Sequence, residues 1–478
     1  MIAVYILLGV LGLLLLLVLA AVIRTLSSPR LRSTYKAPPV DERAEFYAEK
    51  LSRMVAYETV SIPDTDQREK FLGFHTLLEE LFPLVHQNLE KTELDGNLLF
   101  YWEGLYHDKP LVLMSHQDVV PAEGQWLHDP FSGELADGKV WGRGASDTKC
   151  SVMAFFQAVE ELLKDGFVPE QDVWLSSSNT EEVGGPGCAK LVEELVRRGV
   201  KPYLVNDEGG SIVTEPMAGI KGNYAMIGVL EKGQGNLKIS ARSNGGHSSY
   251  PPKNSPIVRL SKFVTELSRH SPMRAAMNRQ AQEMFEAMAP YGPFYLRLLF
   301  GNLWLFRPLL VKLMPSISPQ AAALLQTTVA PTMQTGSDGC NVLPQEATLT
   351  LNLRYIPHQG MAQSNAEIER LAKKYDLDVQ IIDAYDFCEP VDTRTDAYKL
   401  VEQVIKEVFP NLPCIPYVMT GGTDARHYQR ICDTCVRFSP IVYGPAQMKG
   451  MHGLNEYLDT YSLPGAVDYY QALIQRNR

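Results

Sequence analysis

Between Leu111 and Glu182 the chain carries His116, Asp118, Asp147, Glu181 and Glu182, each at or just beyond the end of an apolar run. Imidazole nitrogen and carboxylate oxygen are ligands that a borderline cation such as Zn²⁺ takes readily, and one carboxylate can bridge two ions. LVLMSHQD reads as a buried strand ending in His and Asp. WGRGASDTK reads as a glycine-softened turn ending in Asp147, and VWLSSSNTEE as a second strand ending in paired carboxylates. A His-Asp-Glu set on strand ends suits a catalytic metal site with an open position better than a closed structural one. Taken alone, the Glu-Glu pair reads equally well as the solvated start of the helix containing AKLVEELVRR.

The elements that must hold these residues follow an α/β rhythm. From Leu111 to Gly222 strands alternate with amphipathic helices at Val152–Lys164 and Cys188–Arg198, the second stopped by Gly199. A largely buried sheet is the expected frame, with a first helix at Glu42–Tyr57 in front of it. After Gly222 the pattern changes. YAMIGVLEKGQGNLKISARS predicts a hairpin turned at Gly233–Gly235, followed by a helix at Pro256–Arg269, strand ATLTLNLRYIP, helix SNAEIERLAKKYDL and strand DVQIIDAYDF. That order predicts a separate small sheet-and-helix unit over 222–388, interrupted at about 272–331 by an apolar insert (FYLRLLFGNLWLFRPLLVKLMP). The insert reads as a helical subdomain packed on its own apolar face, or as one that also lines an acyl-chain pocket or touches a bilayer. After Cys388 the rhythm resumes with a helix at Thr395–Val408, strand CVRFSPIVY and a final helix. A first domain over 42–221 is therefore completed by 389–478.

The chain has 478 residues, enough for more than one domain. With 45 Lys plus Arg against 55 Asp plus Glu, a net charge of −10, a nucleic-acid partner is excluded. Seven scattered cysteines do not make a disulfide scaffold, and Cys432 with Cys435 forms a lone C-x-x-C pair that reads as ordinary thiols flanking a strand. Ile2 to Ile23 is apolar and uncharged throughout, about the ~20 residues that cross a hydrocarbon core. Residues 1–24 are expected to be a single-pass membrane anchor, with residues 25–41 as a stalk. A signal peptide cleaved near Ala20 and Ala21 is the competing reading, against which no basic segment precedes the apolar run. Arg24, Arg30, Arg32 and Lys36 follow the span, which by charge alone keeps the body cytoplasmic.

HQDVVP, WGRGASDTK, NTEEVGG, NDEGG, SNGGHSSYP, CNVLP, TGGTDAR and MHGLNE occur in this order from about Glu42 to the C-terminus. In this the chain resembles the zinc metallopeptidase family of aminoacylase, acetylornithine deacetylase, succinyl-diaminopimelate desuccinylase and carboxypeptidase S. Within that family it resembles the branch of carboxypeptidase S and the N-fatty-acyl-amino-acid synthase/hydrolase. The resemblance implies an α/β, zinc-exopeptidase-like catalytic domain interrupted by a smaller α+β, ferredoxin-like lid domain. It implies two Zn²⁺ per subunit, with Co²⁺ or Mn²⁺ able to substitute. Asp147 would bridge both ions, His116 and Glu182 would complete one, and His452 with Glu208 the other, with Asp207 as the rival of Glu208. Asp118, two residues beyond His116 on the same side of an extended strand, would accept the imidazole N–H.

Adjacent glutamates at a strand end diverge, so Glu182 can bind metal while Glu181 faces the substrate. Glu181 would then be the general base, taking the proton of a metal-bridging water and passing it to the leaving amine. The resemblance further assigns His247 to the developing oxyanion, from the same or a neighbouring subunit, Asn341 to substrate binding and Arg426 to the substrate carboxylate. Arg354 could share the last role or be a solvated strand residue. Two positions depart from the family pattern: Cys150 stands where a glycine is usual, and Thr148 where an acidic residue or methionine is more frequent. The expected activity is hydrolysis of small peptides or N-acyl amino acids, with reversible N-fatty-acyl amino acid synthesis and hydrolysis as the alternative. A homodimer through the lid is expected if His247 acts across subunits. Relatives of this kind reside in a vacuole or outside the cell, which conflicts with the charge-based orientation. A thiol oxidoreductase using Cys432 and Cys435, or a membrane-anchored binding protein without activity, are the readings from other classes. The second is opposed by the presence of Glu181, His452 and Asp147 together.

Overall fold

The computed structural model describes residues 1–36 and 41–478. Its larger sheet has ten strands, in the order Glu90–Leu94, Asn97–Trp102, Gln171–Ser177, Tyr106–Met114, Leu204–Asp207, Cys435–Arg437, Asn223–Glu231, Ser211–Thr214 and Val442–Tyr443, with Cys414–Met419 alongside Asn223–Glu231. Four strands in the middle, Gln171–Ser177, Tyr106–Met114, Leu204–Asp207 and Cys435–Arg437, run parallel. Both faces of these strands are covered, which is why their sequences are nearly continuous apolar runs. Along Tyr106–Met114 the side chains alternate between two cores. Leu111 and Leu113 meet the helices Lys149–Lys164 and Leu463–Arg476, while Val112 and Met114 meet Gly187–Arg197 and Ala425–Tyr428. Each fully buried Leu or Phe in these layers contributes roughly 1.5–3 kcal/mol. The parallel strands share one carboxyl edge, and the chemistry-bearing residues leave the sheet there.

A second, four-stranded antiparallel sheet has the order Thr328–Thr335, Glu346–Tyr355, Gly233–Arg242, Asp378–Tyr385. Helices Pro256–Arg269 and Gly360–Lys373 cover one of its faces through Leu260, Phe263, Ile368 and Leu371. In chain order this is βαββαβ, with the insert between the first helix and the second strand.

Several expectations are corrected. Asn223–Glu231 and Gly233–Arg242 are not a hairpin: the first belongs to the larger sheet, the second to the smaller, and the chain crosses between them at Lys232. Both segments are strands, but Asn223–Glu231 is buried along nearly its whole length, as a strand inside the larger sheet, whereas Gly233–Arg242 alternates over most of its length. CVRFSPIVY is two short strands in different places, Cys435–Arg437 beside Leu204–Asp207 and Val442–Tyr443 beside Ser211–Thr214. The insert does not pack only on itself. Its Phe285, Phe300, Leu303 and Met314 share a core with Tyr224, Met226, Ile415 and Val418 of the larger sheet. The first helix extends over Ile2–Ser27, and the expected stalk runs along the body: Leu31 N donates to Pro290 O at 2.9 Å, Ser33 Oγ to Asn223 O at 2.6 Å, and Tyr35 packs edge-on against Phe409. Residues 37–40 of that stalk lie outside the described residues.

The crossing is locked by two successive buried charges. Glu231 Oε2 accepts from Arg437 Nε and Nη2 at 3.2 and 3.0 Å and from Thr423 Oγ1 at 2.9 Å, and the Arg437 and Glu231 side chains are fully buried. Lys232 Nζ donates to Ala323 O and Gln326 O of the insert at 3.0 and 2.8 Å, and burial, with the Arg354 charge adding, pushes its ammonium down to about 7. Removing one partner of a buried ion pair leaves the other charge uncompensated, at a cost of about 3–5 kcal/mol. Glu231→Ala is therefore expected to lower stability by that order in chemical denaturation. The double variant Glu231→Leu/Arg437→Met should lose distinctly less, and an unchanged midpoint in the single variant would show that the pair does not hold the junction.

Candidate metal centre

His116 stands two residues beyond strand Tyr106–Met114, Glu208 directly after Leu204–Asp207, and Glu181 and Glu182 in the turn after Gln171–Ser177. Three neighbouring parallel strands thus deliver ligand-type side chains to one carboxyl edge, where α/β sheets place their sites. Asp147 comes from the turn before helix Lys149–Lys164, and His452 from the loop after Pro445–Gly450. His452 has φ 54°, a left-handed conformation costly for a residue with a Cβ, and Gly453 follows it.

Asp147 lies between the two imidazoles. Its Oδ1 is 3.2 Å from His116 Nε2 and its Oδ2 is 3.1 Å from His452 Nε2, while Glu182 Oε2 is 3.0 Å from His452 Nε2. His116, Asp147 and Glu182 each offer a ligand atom, all within 4.8 Å of one another. His116 Nδ1 lies 3.0 Å from the Asp118 backbone carbonyl and 3.4 Å from Asp118 Oδ1. The main-chain oxygen is thus the nearer acceptor, and a proton held on Nδ1 leaves Nε2 as the lone-pair nitrogen facing the cluster.

The Asp118 carboxylate has a further task. It accepts from Ser61 Oγ at 2.7 Å and from the backbone N–H groups of Glu181 and Glu182 at 3.2 and 3.1 Å, fixing the turn that presents both glutamates. Glu456 does the same for Asp147. Its Oε1 accepts from Gly144 N, Ser146 N and Asp147 N at 3.1, 2.9 and 3.0 Å, and its Oε2 from Arg143 Nη1 at 2.7 Å.

Burial raises the carboxyls of Glu181, Glu182 and Glu208 above the usual range, and neighbouring carboxylates, Asp147 and Asp424 among them, add to it. The bonds to Asp147 and Glu182 push His452 up to about 10. Burial opposes charge on His116, yet Asp118 and Asp147 outweigh it and hold the imidazole well above its ordinary value. This is a dense pool of buried negative charge, for which cations are the natural complement. Both oxygens of Asp207 are engaged by backbone, Oδ1 with Glu208 N at 2.8 Å and Oδ2 with Ala425 N at 2.7 Å. The carboxylate of Glu208 accepts no hydrogen bond among the described residues.

Residues 112–476 match Peptidase family M20/M25/M40. The chain belongs to this family. It is accordingly a metallopeptidase-class hydrolase. Over 90% of the chain it is 32% identical to "Probable carboxypeptidase S-like 2" of Dictyostelium discoideum, covering 84% of that protein. Over 90% of the chain it is also 32% identical to an N-fatty-acyl-amino acid synthase/hydrolase of Xenopus tropicalis, covering 85% of it. In fold it is similar to the M20 family metallo-carboxypeptidase Sso-CP2 of Sulfolobus solfataricus, with a TM-score of 0.68 and 18% identity over 91% of this chain and 99% of that one. Human carnosine dipeptidase 1 gives a TM-score of 0.63 and 15% identity, over 91% and 97% of the two chains.

Around the M20 centre the structure gathers some of the expected substrate residues and not others. Arg426 is close: its Nη1 is 3.9 Å from Glu181 Oε1 and donates to Thr423 O at 2.8 Å, and its guanidinium lies over the Tyr385 ring at 5.2 Å. Nε and Nη2 have no acceptor among the described residues. Arg354 sits across from Gln234, which in turn sits across from Tyr385, so these three lie in a row on the smaller sheet. The Arg354 side chain forms no ion pair or hydrogen bond among the described residues. His247 and Asn341 are brought together on a two-stranded ribbon, Gly246–His247 with Val342–Leu343, where Ser248 N donates to Asn341 O at 3.0 Å. Both are exposed, His247 Nδ1 lies 2.7 Å from Ser249 Oγ, and neither touches the metal-ligand cluster.

Glu182, expected on the same ion as His116, lies within ligand range of His116 and Asp147, and it also contacts His452 directly. Spacing along the chain places residues on strand ends and is silent on which ends meet. Glu456, Tyr385, Arg143 and Asp424 were not singled out. Glu456 and Arg143 do lie inside the motifs MHGLNE and WGRGASDTK, and a Glu and an Arg each beside glycine-bearing ligand turns were the available signal. Cys432 and Cys435 are buried and free, and Cys150 is enclosed with its Sγ 3.3 Å from Ser146 O, so the residue standing in place of glycine packs without displacing the turn. Partners that orient metal ligands typically account for ~10–100-fold in metal affinity. Glu456→Gln, which keeps the shape but turns an amide toward three N–H groups, is expected to weaken Zn²⁺ binding by that factor in a chelator-competition titration. Unaltered affinity would show that the loop holds Asp147 without it.

Proposed function

We propose that the protein is a dinuclear zinc hydrolase of the carboxypeptidase or aminoacylase type. It cleaves the amide bond of small peptides or N-acyl amino acids, and helix Ile2–Ser27 anchors it in a membrane. The observation that carries this reading is Asp147 held between His116 and His452, with Glu182 against His452. The donor set fits zinc, being imidazole and carboxylate, and Glu182 Oε1 is buried without a hydrogen-bond partner. One ion would take His452, Glu182 and an oxygen of Asp147. The other would take His116, Glu208 and the second oxygen of Asp147, since Asp207 is already engaged by backbone. Bound there, zinc would supply Lewis-acid polarisation of an amide carbonyl and would lower the pKa of an attacking water.

The remaining work falls to side chains. Glu181 is held by its own N–H on Asp118, carries no ligand contact, and has its carboxyl raised by burial. It is suited to take a proton from water and return it to the departing nitrogen. Arg426, with free donors beside Glu181, clamps the substrate carboxylate, and Arg354 and Tyr385 bound the same space from the smaller sheet. That sheet with its helices acts as the lid. His247, assigned to the oxyanion, and Asn341, assigned to substrate, must be brought to the centre by lid movement or by a second copy of the chain.

The carboxypeptidase S-like and N-fatty-acyl-amino acid relatives support an amino-acid amide as substrate. The second of them favours reversible synthesis and hydrolysis of long-chain N-acyl amino acids as the alternative role. Turnover of the full chain in detergent on a long-chain N-acyl amino acid, an N-acetyl amino acid and an apolar dipeptide separates these. Chelator should abolish activity and Zn²⁺ restore it. Glu181→Gln should reduce kcat by about 10²–10⁴ with the fold intact, and near-normal turnover in that variant would refute the assigned base. Arg426→Leu removes charge-assisted hydrogen bonds of about 1.5–3 kcal/mol and should raise KM roughly 10- to 150-fold, a change absent if the carboxylate is held elsewhere.

A further inference from the structure

Helices Phe294–Phe300 and Leu303–Ile317 of the insert are both strongly apolar and meet at a bend of 102°. Their inner sides are used: Leu296, Phe300, Leu303, Leu310 and Met314 are buried in the insert core. Their outer sides are not. Phe294, Tyr295, Trp304, Leu309, Leu313 and Ile317 are exposed, Ile317 by 74%. Leu309, Leu313 and Ile317 follow one another at i, i+4, a continuous stripe along the helix. A cluster of this kind facing water is unfavourable and marks a surface suited to being covered.

The neighbouring element says what covers it. The same two helices grip the last turns of Ile2–Ser27. Asn302 Nδ2 donates to Thr25 Oγ1 at 3.0 Å and lies 3.4 Å from Ala21 O, while Arg297 Nη2 donates to Thr25 O at 2.8 Å and also to Ser28 O. Ala21 and Thr25 are the two buried residues of that helix, Leu17 and Val22 are half-buried, and its other apolar residues are exposed. Arg297 thus satisfies carbonyls at the helix end that would otherwise lack a partner. These polar contacts seat the end of Ile2–Ser27 on the insert and set the height of the insert relative to it. With Ile2–Ser27 across a bilayer, the insert lies at the membrane boundary. Aromatic side chains Phe294, Tyr295 and Trp304 then sit with Arg24, Arg297, Arg307 and Lys312, the mixture that occupies the headgroup layer.

We propose that Phe294–Phe300 and Leu303–Ile317 form a second membrane contact. They lie in the plane of the interface beside the anchor, with the outer apolar face among acyl chains and the cations among lipid phosphates. This rests on the anchor reading above and goes beyond it, because it orients the body on the bilayer. The insert packs on Asn223–Glu231 and Cys414–Met419 and is bonded by Lys232 at the crossing between the sheets. The membrane contact is therefore rigidly joined to the elements around the metal centre.

The test uses the full chain reconstituted in phosphatidylcholine/phosphatidylserine vesicles, with exposed Cys340 changed to Ser. Leu313→Cys, Ile317→Cys and, as a control on another exposed apolar position, Leu105→Cys are labelled with an environment-sensitive fluorophore. Quenching is read with lipids carrying nitroxide near the headgroup. Labels at 313 and 317 are expected to be blue-shifted and quenched several-fold more than the label at 105. Flotation of the same samples reports the anchor independently. Protein that floats while all three labels behave alike overturns the second contact and leaves the anchor standing, and protein that does not float overturns both. Labels shielded from a water-soluble quencher but untouched by the lipid nitroxide would show a protein surface, such as a second copy of the chain, covering the face in place of lipid.

Discussion

The structure turns on a concentration of buried negative charge. Asp118, Asp147, Glu181, Glu182 and Glu208 converge on one sheet edge, where burial, with neighbouring carboxylates adding, raises Glu181, Glu182 and Glu208 above their ordinary range. Most of what surrounds them neutralises or pins one of them. Asp118 is saturated by Ser61 and two backbone N–H groups, and Asp147 is shared by two imidazoles. What remains uncompensated is the set of oxygens best placed for cations. Glu181 is the exception, its N–H held by Asp118 and its carboxylate outside the contacts that join Asp147, Glu182 and the two imidazoles.

Such a centre needs loops that do not give way. The sheet supplies three of its residues on parallel strand ends, which are rigid because both faces are packed. The other two, Asp147 and His452, come from loops, and one residue joins them. Glu456 follows His452 closely in sequence and binds three N–H groups of the turn ending in Asp147, so the two loops are positioned as one body. This backing is consistent with the left-handed backbone at His452, a conformation that persists only where neighbours over-determine it.

A similar economy appears between the sheets. Glu231 and Lys232, adjacent in sequence, bind opposite ways: Glu231 into the larger sheet and the Thr423 loop, Lys232 into the insert. Three packed units thereby meet at one peptide bond, close to Tyr385 and Arg426. Lys232 joins this junction to the insert, and the insert in turn holds the end of helix Ile2–Ser27.

The sequence by itself determined the chemistry and the frame. His, Asp and Glu at the ends of apolar runs are legible because buried parallel strands leave an unmistakable composition, and the ordered motifs specified the family. It also determined the apolar span, which depends on length and charge alone. Only the tertiary structure decided that Glu182 stands with His452, that Asp207 is spent on backbone N–H groups while Glu208 is not, and that Glu456 supports Asp147. It likewise decided that Asn223–Glu231 joins the larger sheet and not the smaller, and that the insert packs on the larger sheet and holds helix Ile2–Ser27. The physical reason is common to all of these. Periodicity and local propensity report which side of an element is buried, whereas ligand pairing, buried ion pairs and docking faces are contacts between residues distant in sequence, fixed only when the sheets and loops close on one another.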